Sequence, residues 1–382
     1  MLQKVIYFDH AATTRLYPEV LHLLNEDFSI YFANPSSSHL LGKELSKKIS
    51  DVKSALLNSL KSGEENEFYF TSSATESNNT VIAGLRLKAG DVVLYSKADH
   101  PSIVVPVENL GELGVELIAI KLLKNGAIDM SFLDNVLSEK KIALAIFSQV
   151  NHQSGNIYDV VKLASFIKQK SPECHVHVDA VQAYGKIVTR VTNDIDSMSI
   201  TAHKLGGPKG IAGLYLKKNH RVKPLLLGGG QQNDFRAGTE SFPLIDAFLE
   251  ASKISLLNLN KNLELISSLN KKMQEILKTN IPKAQFPFED VSPYILSFLI
   301  PGISTDIILR HLESKNVFIG TTSACSSRIK SFNPALAALG IPEKFHKNIL
   351  RISFGPTSNQ EDTEQFIHEF LATWNELRPF VK

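Results

Sequence analysis

Short apolar runs of strand length alternate with helical patterns between about residue 68 and residue 216. The predicted strands are 68–71, 92–95, 115–120, 142–147, 176–179, 197–201 and 213–216. Helical patterns over 76–87, after Asp99-His100-Pro101 and over 160–170 separate most of them. This alternation predicts an α/β fold, with a mostly parallel seven-stranded-type sheet covered by helices on both faces. Upstream lie a short strand over 5–9 and a helix opened by Pro18, where a missing N–H costs nothing. A second helix, with Ser38 as its expected cap, carries Leu41, Leu45, Ile49, Val52, Leu56 and Leu60 on its apolar face. Downstream, a long helical stretch over 242–278, with breaks, leads through a proline-flanked segment at 282–293 into smaller α+β structure. There the pattern predicts strands at 295–300, 317–319 and 350–354 and helices at 305–314 and 361–377. The expected division is a large domain over 15–255 and a small one over 1–14 and 256–382, the latter carrying a polar loop with Cys325. No internal repeat or low-complexity segment interrupts the chain.

Composition narrows the class. The 382 residues are 43% apolar and 21% charged, an ordinary globular balance that suits two domains. Net charge is +2, and no dense basic run marks nucleic acid as a direct partner. No apolar run reaches the roughly 18 residues a membrane span needs, and the N-terminus has a strand pattern without a signal-peptide core. With only Cys174 and Cys325, the chain is not a disulfide scaffold, and a reducing cytoplasm is the expected compartment.

The chemistry-bearing residues fall where predicted strands end. In open α/β sheets ligands bind beyond the carboxyl ends of the strands. Ala74-Thr75, Asp99-His100, Asn151-His152-Gln153, Asp179 with Gln182, and His203-Lys204 all occupy such positions. Lys204 follows an apolar strand and precedes a glycine-rich turn, where an unpaired buried charge is costly and Schiff-base chemistry is one use for it. A surface lysine at a strand end is the plain alternative. Asp179 shares a strand face with His175 and His177, a spacing open to three readings: a metal site, a carboxylate paired with the ring nitrogen of an organic cofactor, or a turn cap. Ser73-Ala74-Thr75 at a strand-to-helix turn suits a phosphate or simple capping. Gly228-Gly229-Gly230 fits neither a dinucleotide nor a nucleotide-triphosphate loop. Arg351 inside an apolar strand requires a carboxylate or phosphate partner, from a ligand or from the protein itself. Cys325, flanked by small polar residues, is a candidate nucleophile or a small core residue.

Taken together in this order, several segments resemble the cysteine desulfurases, a class V branch of the fold-type I pyridoxal phosphate enzymes. They include Asp9-His10-Ala11-Ala12-Thr13-Thr14, Asn34-Pro35-Ser36-Ser37, Thr71 to Asn79, His177 to Gln182, Thr201-Ala202-His203-Lys204, Arg236-Ala237-Gly238-Thr239, Ser323-Ala324-Cys325 and Arg351-Ile352-Ser353. The resemblance implies pyridoxal 5'-phosphate carried on Lys204, with Asp179 at the ring nitrogen, Gln182 at the ring oxygen and His100 on the ring face. It implies phosphate contacts from Ala74, Thr75, Thr201 and His203, and from Thr239 across a homodimer. Arg351, with Asn34 close by, would hold the carboxylate of L-cysteine, and Cys325 would take the sulfur as a persulfide while L-alanine is released. The implied partner is a sulfur acceptor such as an iron–sulfur scaffold, serving cluster assembly, tRNA thiolation or both. A selenocysteine lyase, another class V enzyme and a non-catalytic sulfur-assembly subunit are the alternatives. The chain departs from the family pattern at His152, where an asparagine is usual, at Asp99, where a glutamate is usual, and in a longer loop over 326–333.

Overall fold

The computed structural model describes residues 4–321 and 332–381. In chain order its elements are β1 (Ile6–Phe8), α1 (Pro18–Ile30), α2 (Leu40–Ser59), β2 (Glu67–Thr71), α3 (Ala74–Gly84), β3 (Val92–Tyr95), α4 (Pro101–Glu112) and β4 (Glu116–Ala119). Next come α5 (Met130–Glu139), β5 (Leu144–Ser148), α6 (Val160–Lys170), β6 (His175–Asp179), β7 (Ser197–Thr201), β8 (Ala212–Leu216), α7 (Phe242–Leu257) and α8 (Leu259–Asn280). The C-terminal part holds β9 (Ile295–Leu299), α9 (Thr305–Glu313), β10 (Val317–Thr321), α10 (Pro334–Ala338), β11 (Ile349–Ser353) and α11 (Gln360–Leu377).

The larger sheet is seven-stranded, in the order β2-β8-β7-β6-β5-β3-β4. β4, β3, β5, β6 and β7 run parallel, whereas β8 is antiparallel to both β7 and β2. β2 therefore points the same way as β7. β3, β5, β6 and β7 are buried along their whole lengths, as parallel strands covered on both faces must be, and antiparallel β8 is buried with them. α6 shows how a covering helix is specified. Val160, Leu163, Ala164 and Ile167 form its buried face, Asp159 accepts the Lys162 N–H at 3.1 Å, and Lys168 and Lys170 complement the dipole in its last turn. Val160, Leu163 and Ile167 each contribute about 1.5–3 kcal/mol by burial before the cost of ordering them.

The smaller sheet has the order β1-β10-β11-β9, with β1 parallel to β10 and the other pairs antiparallel. Phe8 from the start of the chain packs edge-on against Phe354 at 5.4 Å and against Phe366 of α11 at 4.8 Å. The strand just before the first polar cluster is thus held by the C-terminal core.

Local chemistry moved some boundaries from their expected places. His39, not Ser38, caps α2: its Nδ1 accepts the Gly42 N–H at 3.3 Å. Leu41, expected on the buried face of that helix, is exposed. α3 begins at Ala74, because Ser73 Oγ accepts the Glu76 N–H at 3.2 Å while Glu76 reaches back to the Ser72 N–H at 2.7 Å. The long helical stretch divides at Asn258 into α7 and α8. None of the described helices is long and apolar enough to cross a membrane.

Candidate active site

The carboxyl ends of β2, β3, β5, β6 and β7 open on one side of the larger sheet, and a cavity of ≈ 340 Å³ lies there. Ala74, Thr75, His100, His152, Asp179, Gln182, His203, Lys204 and Arg351 all line it. Residues spread over nearly 280 positions of chain, counted 351 − 74, therefore meet in one place.

Each arrives by an identifiable route. Lys204 ends a 3₁₀ turn, Ala202–Lys204, that follows β7 directly. Two residues later Gly206 has φ +98°, and a Cβ there would run into the Tyr17 ring, so the turn requires glycine. The Lys204 Nζ donates to the carbonyls of Ala11 and Ala12, the latter at 2.6 Å. Asp179 ends β6, and its carboxylate accepts the Val181 N–H at 2.9 Å and the Asn78 amide at 2.9 Å. Asn78 also donates to Ser102 and accepts from His177 Nε2 at 3.0 Å, while His177 Nδ1 meets Ser197 Oγ at 2.7 Å. His175 reaches the same Ser197 hydroxyl at 2.8 Å. The two imidazoles are thus committed to the scaffold that aims Asp179, and no metal-binding cluster occurs among the described residues.

His100 caps α4. Its Nδ1 accepts the Ser102 N–H at 3.1 Å, which leaves the proton of the neutral ring on Nε2. The His152 ring meets it edge-on, with centroids 5.2 Å apart. An amide nitrogen only donates, so the Gln153 Nε2 contact at 3.1 Å makes His152 Nε2 an acceptor and puts its proton on Nδ1. That Nδ1 is buried and has no acceptor among the described residues. Burial, followed by Lys204 and Arg351, lowers the proton affinity of His100 despite the opposing pull of Asp179. Burial, then His100, Arg351 and Lys204, lowers that of His152 still further. Both rings are neutral at neutral pH. Asp99, just before His100, is pushed up to about 7 by burial, with Ser148 donating to it at 2.6 Å.

Arg351 enters from β11 of the smaller sheet. Its Nη2 pairs with Asp9 at 2.9 Å and its Nη1 donates to the His152 carbonyl at 3.0 Å. Its buried Nε has no partner among the described residues. The protein partner considered for this arginine is therefore present, and Arg351 also lines the cavity. Gly320 closes the approach: a Cβ there would collide with Asp9 and lie 2.8 Å from Arg351 Nη2.

Other expected residues lie elsewhere. Thr201 is buried beside the cavity, its hydroxyl directed at the Ile211 carbonyl at 3.3 Å. Asn34 is exposed and accepts the Ser36 N–H, and Thr239 is also exposed. Cys325 lies outside the described residues. Asn78, Ser102 and Asp9 were not singled out from the sequence for the roles they play here. A usable signal existed for Asn78, which stands one helical turn after Ala74 on the same face of α3.

The buried imidazoles give the fold a pH signature. Burial lowers His10 to about 4 and His175, His177 and His203 to about 3. In the unfolded chain these rings protonate near 6.5, so below that pH the unfolded state binds more protons and stability falls. Asp99, raised to about 7, and Asp27, raised to about 6, work the other way, as do Glu240 and Asp246, but the four imidazoles together outweigh them. Urea midpoints are expected to drop steadily from about pH 6.5 toward pH 4. A midpoint that rose on acidification would contradict this.

Comparison with known proteins agrees with this geometry. A solved structure described as a NifS-like protein superposes with a TM-score of 0.90 at 25% identity, covering 98% of this chain and 100% of that one. A second, described as SspA in complex with cysteine, has a TM-score of 0.79 at 25% identity and covers 92% and 99%. A relative named cysteine desulfurase IscS, from Dictyoglomus turgidum, is 30% identical over 94% of this chain and 92% of its own length. The aminotransferase class-V family model matches residues 6–366, nearly the whole of both sheets and every described residue lining the cavity, and the chain belongs to that family.

Proposed function

We propose that this protein is a pyridoxal-phosphate-dependent cysteine desulfurase that converts L-cysteine to L-alanine and passes the sulfur to Cys325. The observation that carries the reading is the convergence of Lys204, Asp179, Gln182 and His100 in one cavity that Arg351 enters from the other sheet. Pyridoxal phosphate is the cofactor of this class V enzyme, and the residues present fit it. Asp179 is an oriented carboxylate for the ring nitrogen, and the buried Nδ1–H of His152 is a donor lacking an acceptor among the described residues. Ala74 and Thr75 start α3, where backbone N–H groups without intrahelical partners suit a phosphate.

When bound, pyridoxal phosphate supplies an electron sink for the substrate's Cα–H and Cβ–S bonds. The chain supplies the rest. Arg351 holds the α-carboxylate, and Lys204 Nζ takes the Cα proton. Asp179, locked by Asn78 and Val181, is the carboxylate that would pair with the ring nitrogen and favour its protonated form. His100, neutral with its proton on Nε2, is positioned to lend or take a proton at the ring face. The Cys325 thiolate accepts the substrate sulfur as its Cβ–S bond breaks, and Cβ gains a proton. L-Cysteine and the Cys325 thiol thus become L-alanine and a persulfide. We assign the onward sulfur acceptor to a scaffold protein of iron–sulfur assembly or a tRNA-thiolation factor, and the assembly to a homodimer. In support of the dimer, Phe28, Ile30, Phe32 and Leu40 leave large apolar surfaces exposed along α1, its exit and the start of α2.

Cys325→Ala is expected to leave the visible cofactor band and its response to L-cysteine intact while persulfide disappears and alanine release falls at least about 10²-fold. Absorbance, alanine assay and mass spectrometry of the protein in one reaction read all three. Undiminished alanine release from the variant would turn the assignment toward a selenocysteine-lyase type of reaction. A wild-type protein that forms no band with added pyridoxal phosphate would remove the enzyme reading.

A further inference from the structure

Behind Gln182 lies a second lysine that the proposed chemistry leaves without a role. Lys186 is 2% exposed and forms no ion pair with a carboxylate among the described residues. Its Nζ donates to Gln182 Oε1 at 2.9 Å. Gln182 Nε2 in turn donates to the Ala11 carbonyl at 2.8 Å, and the same carbonyl accepts from Lys204 Nζ. One hydrogen-bonded chain therefore joins the two lysines through a single amide and a single carbonyl. A buried cation without a carboxylate is expensive, and a protein keeps one where the charge or its proton is used.

We propose that Lys186 is a positioning residue for Lys204: it locks the Gln182 amide with its NH₂ toward Ala11, and it places a second cation behind the cavity that disfavours a proton at the Lys204 nitrogen. This deepens the cofactor reading above and rests on it. With Oε1 held by Lys186, Gln182 cannot flip, so only its NH₂ can serve the Ala11 carbonyl. The groups facing Lys186 are Lys204 after β7 and Arg351 on β11, with Tyr294 before β9 presenting its ring at 5.9 Å from Nζ. His10 after β1 and His203 also feel its charge, and burial keeps both neutral. Burial, then Lys204 and Arg351, brings Lys186 itself down to about 7.

The test is a pH titration of the visible band of the holoenzyme, without substrate, in wild type, Lys186→Met, Lys186→Gln and Lys186→Arg. Removing the cation is expected to raise the midpoint by roughly one pH unit in Lys186→Met and Lys186→Gln, the size of a charge–charge interaction in a poorly screened interior. Lys186→Arg keeps the charge and is expected to titrate at or below the wild-type midpoint. Lys186→Gln retains a donor for Gln182, so it carries the result if the methionine variant does not fold. A folded neutral variant with an unchanged midpoint overturns the proposal and leaves the cofactor reading standing. A wild-type protein with no band at all strikes the cofactor reading instead.

Discussion

Lys204→Ala is expected to lower alanine formation from L-cysteine at least about 10³-fold with pyridoxal phosphate in excess, the upper range for losing a positioned proton-transfer group. The same variant is expected to melt close to the wild type. Lys204 is only partly buried, and its bonds to the Ala11 and Ala12 carbonyls are made at the edge of the cavity, where water can replace them. A kinetic collapse with a preserved melting temperature separates chemistry from folding. A variant retaining more than about a tenth of wild-type turnover would show that another group moves the Cα proton.

The second large effect falls on Arg351, and it divides differently. Arg351→Ala leaves Asp9, whose side chain is 20% exposed, without its cation. Breaking one partner out of such a pair costs about 3 kcal/mol, and the lost substrate carboxylate contact is expected to raise the KM for cysteine about 10²-fold. Arg351→Lys should recover part of the stability, since an ammonium still faces Asp9, while the KM stays high because lysine lacks the planar fork. Adding Asp9→Asn to Arg351→Ala should relieve most of the stability loss and none of the KM. Chemical denaturation and steady-state kinetics on the same set decide it. If all variants lose stability and KM in parallel, Arg351 is structural only.

Much of this site was legible before the fold. Lys204, Asp179, His100 and Gln182 stand at strand ends because period-2 apolar runs show where strands stop, and ligands gather where parallel strands stop. The helix boundaries were less legible. A capping choice between Ser38 and His39, or between starting at Ala74 and at Glu76, turns on single hydrogen bonds that no period reports. The three readings offered for Asp179 could not be separated from spacing alone, because a shared strand face does not say which group lies opposite. Ser197, on the neighbouring strand and in register with His177, engages both histidines, a partner that the shared strand face of Asp179 does not announce.

The alternation of strands and helices determined the α/β class, the parallel sheet and the clustering of polar residues at one edge, since each of these follows from local periodicity and chain sense. Only the tertiary structure decided what binds what inside the cluster. Asp9 from the first strand meets Arg351 from the last, Asn78 of α3 meets Asp179 of β6, and Lys186 reaches Lys204 through Gln182 and Ala11. The physical reason is that a buried polar group is stabilised by whichever partner packing brings within about 3 Å. That partner is set by strand order and register, which a linear pattern of apolar and polar positions does not contain.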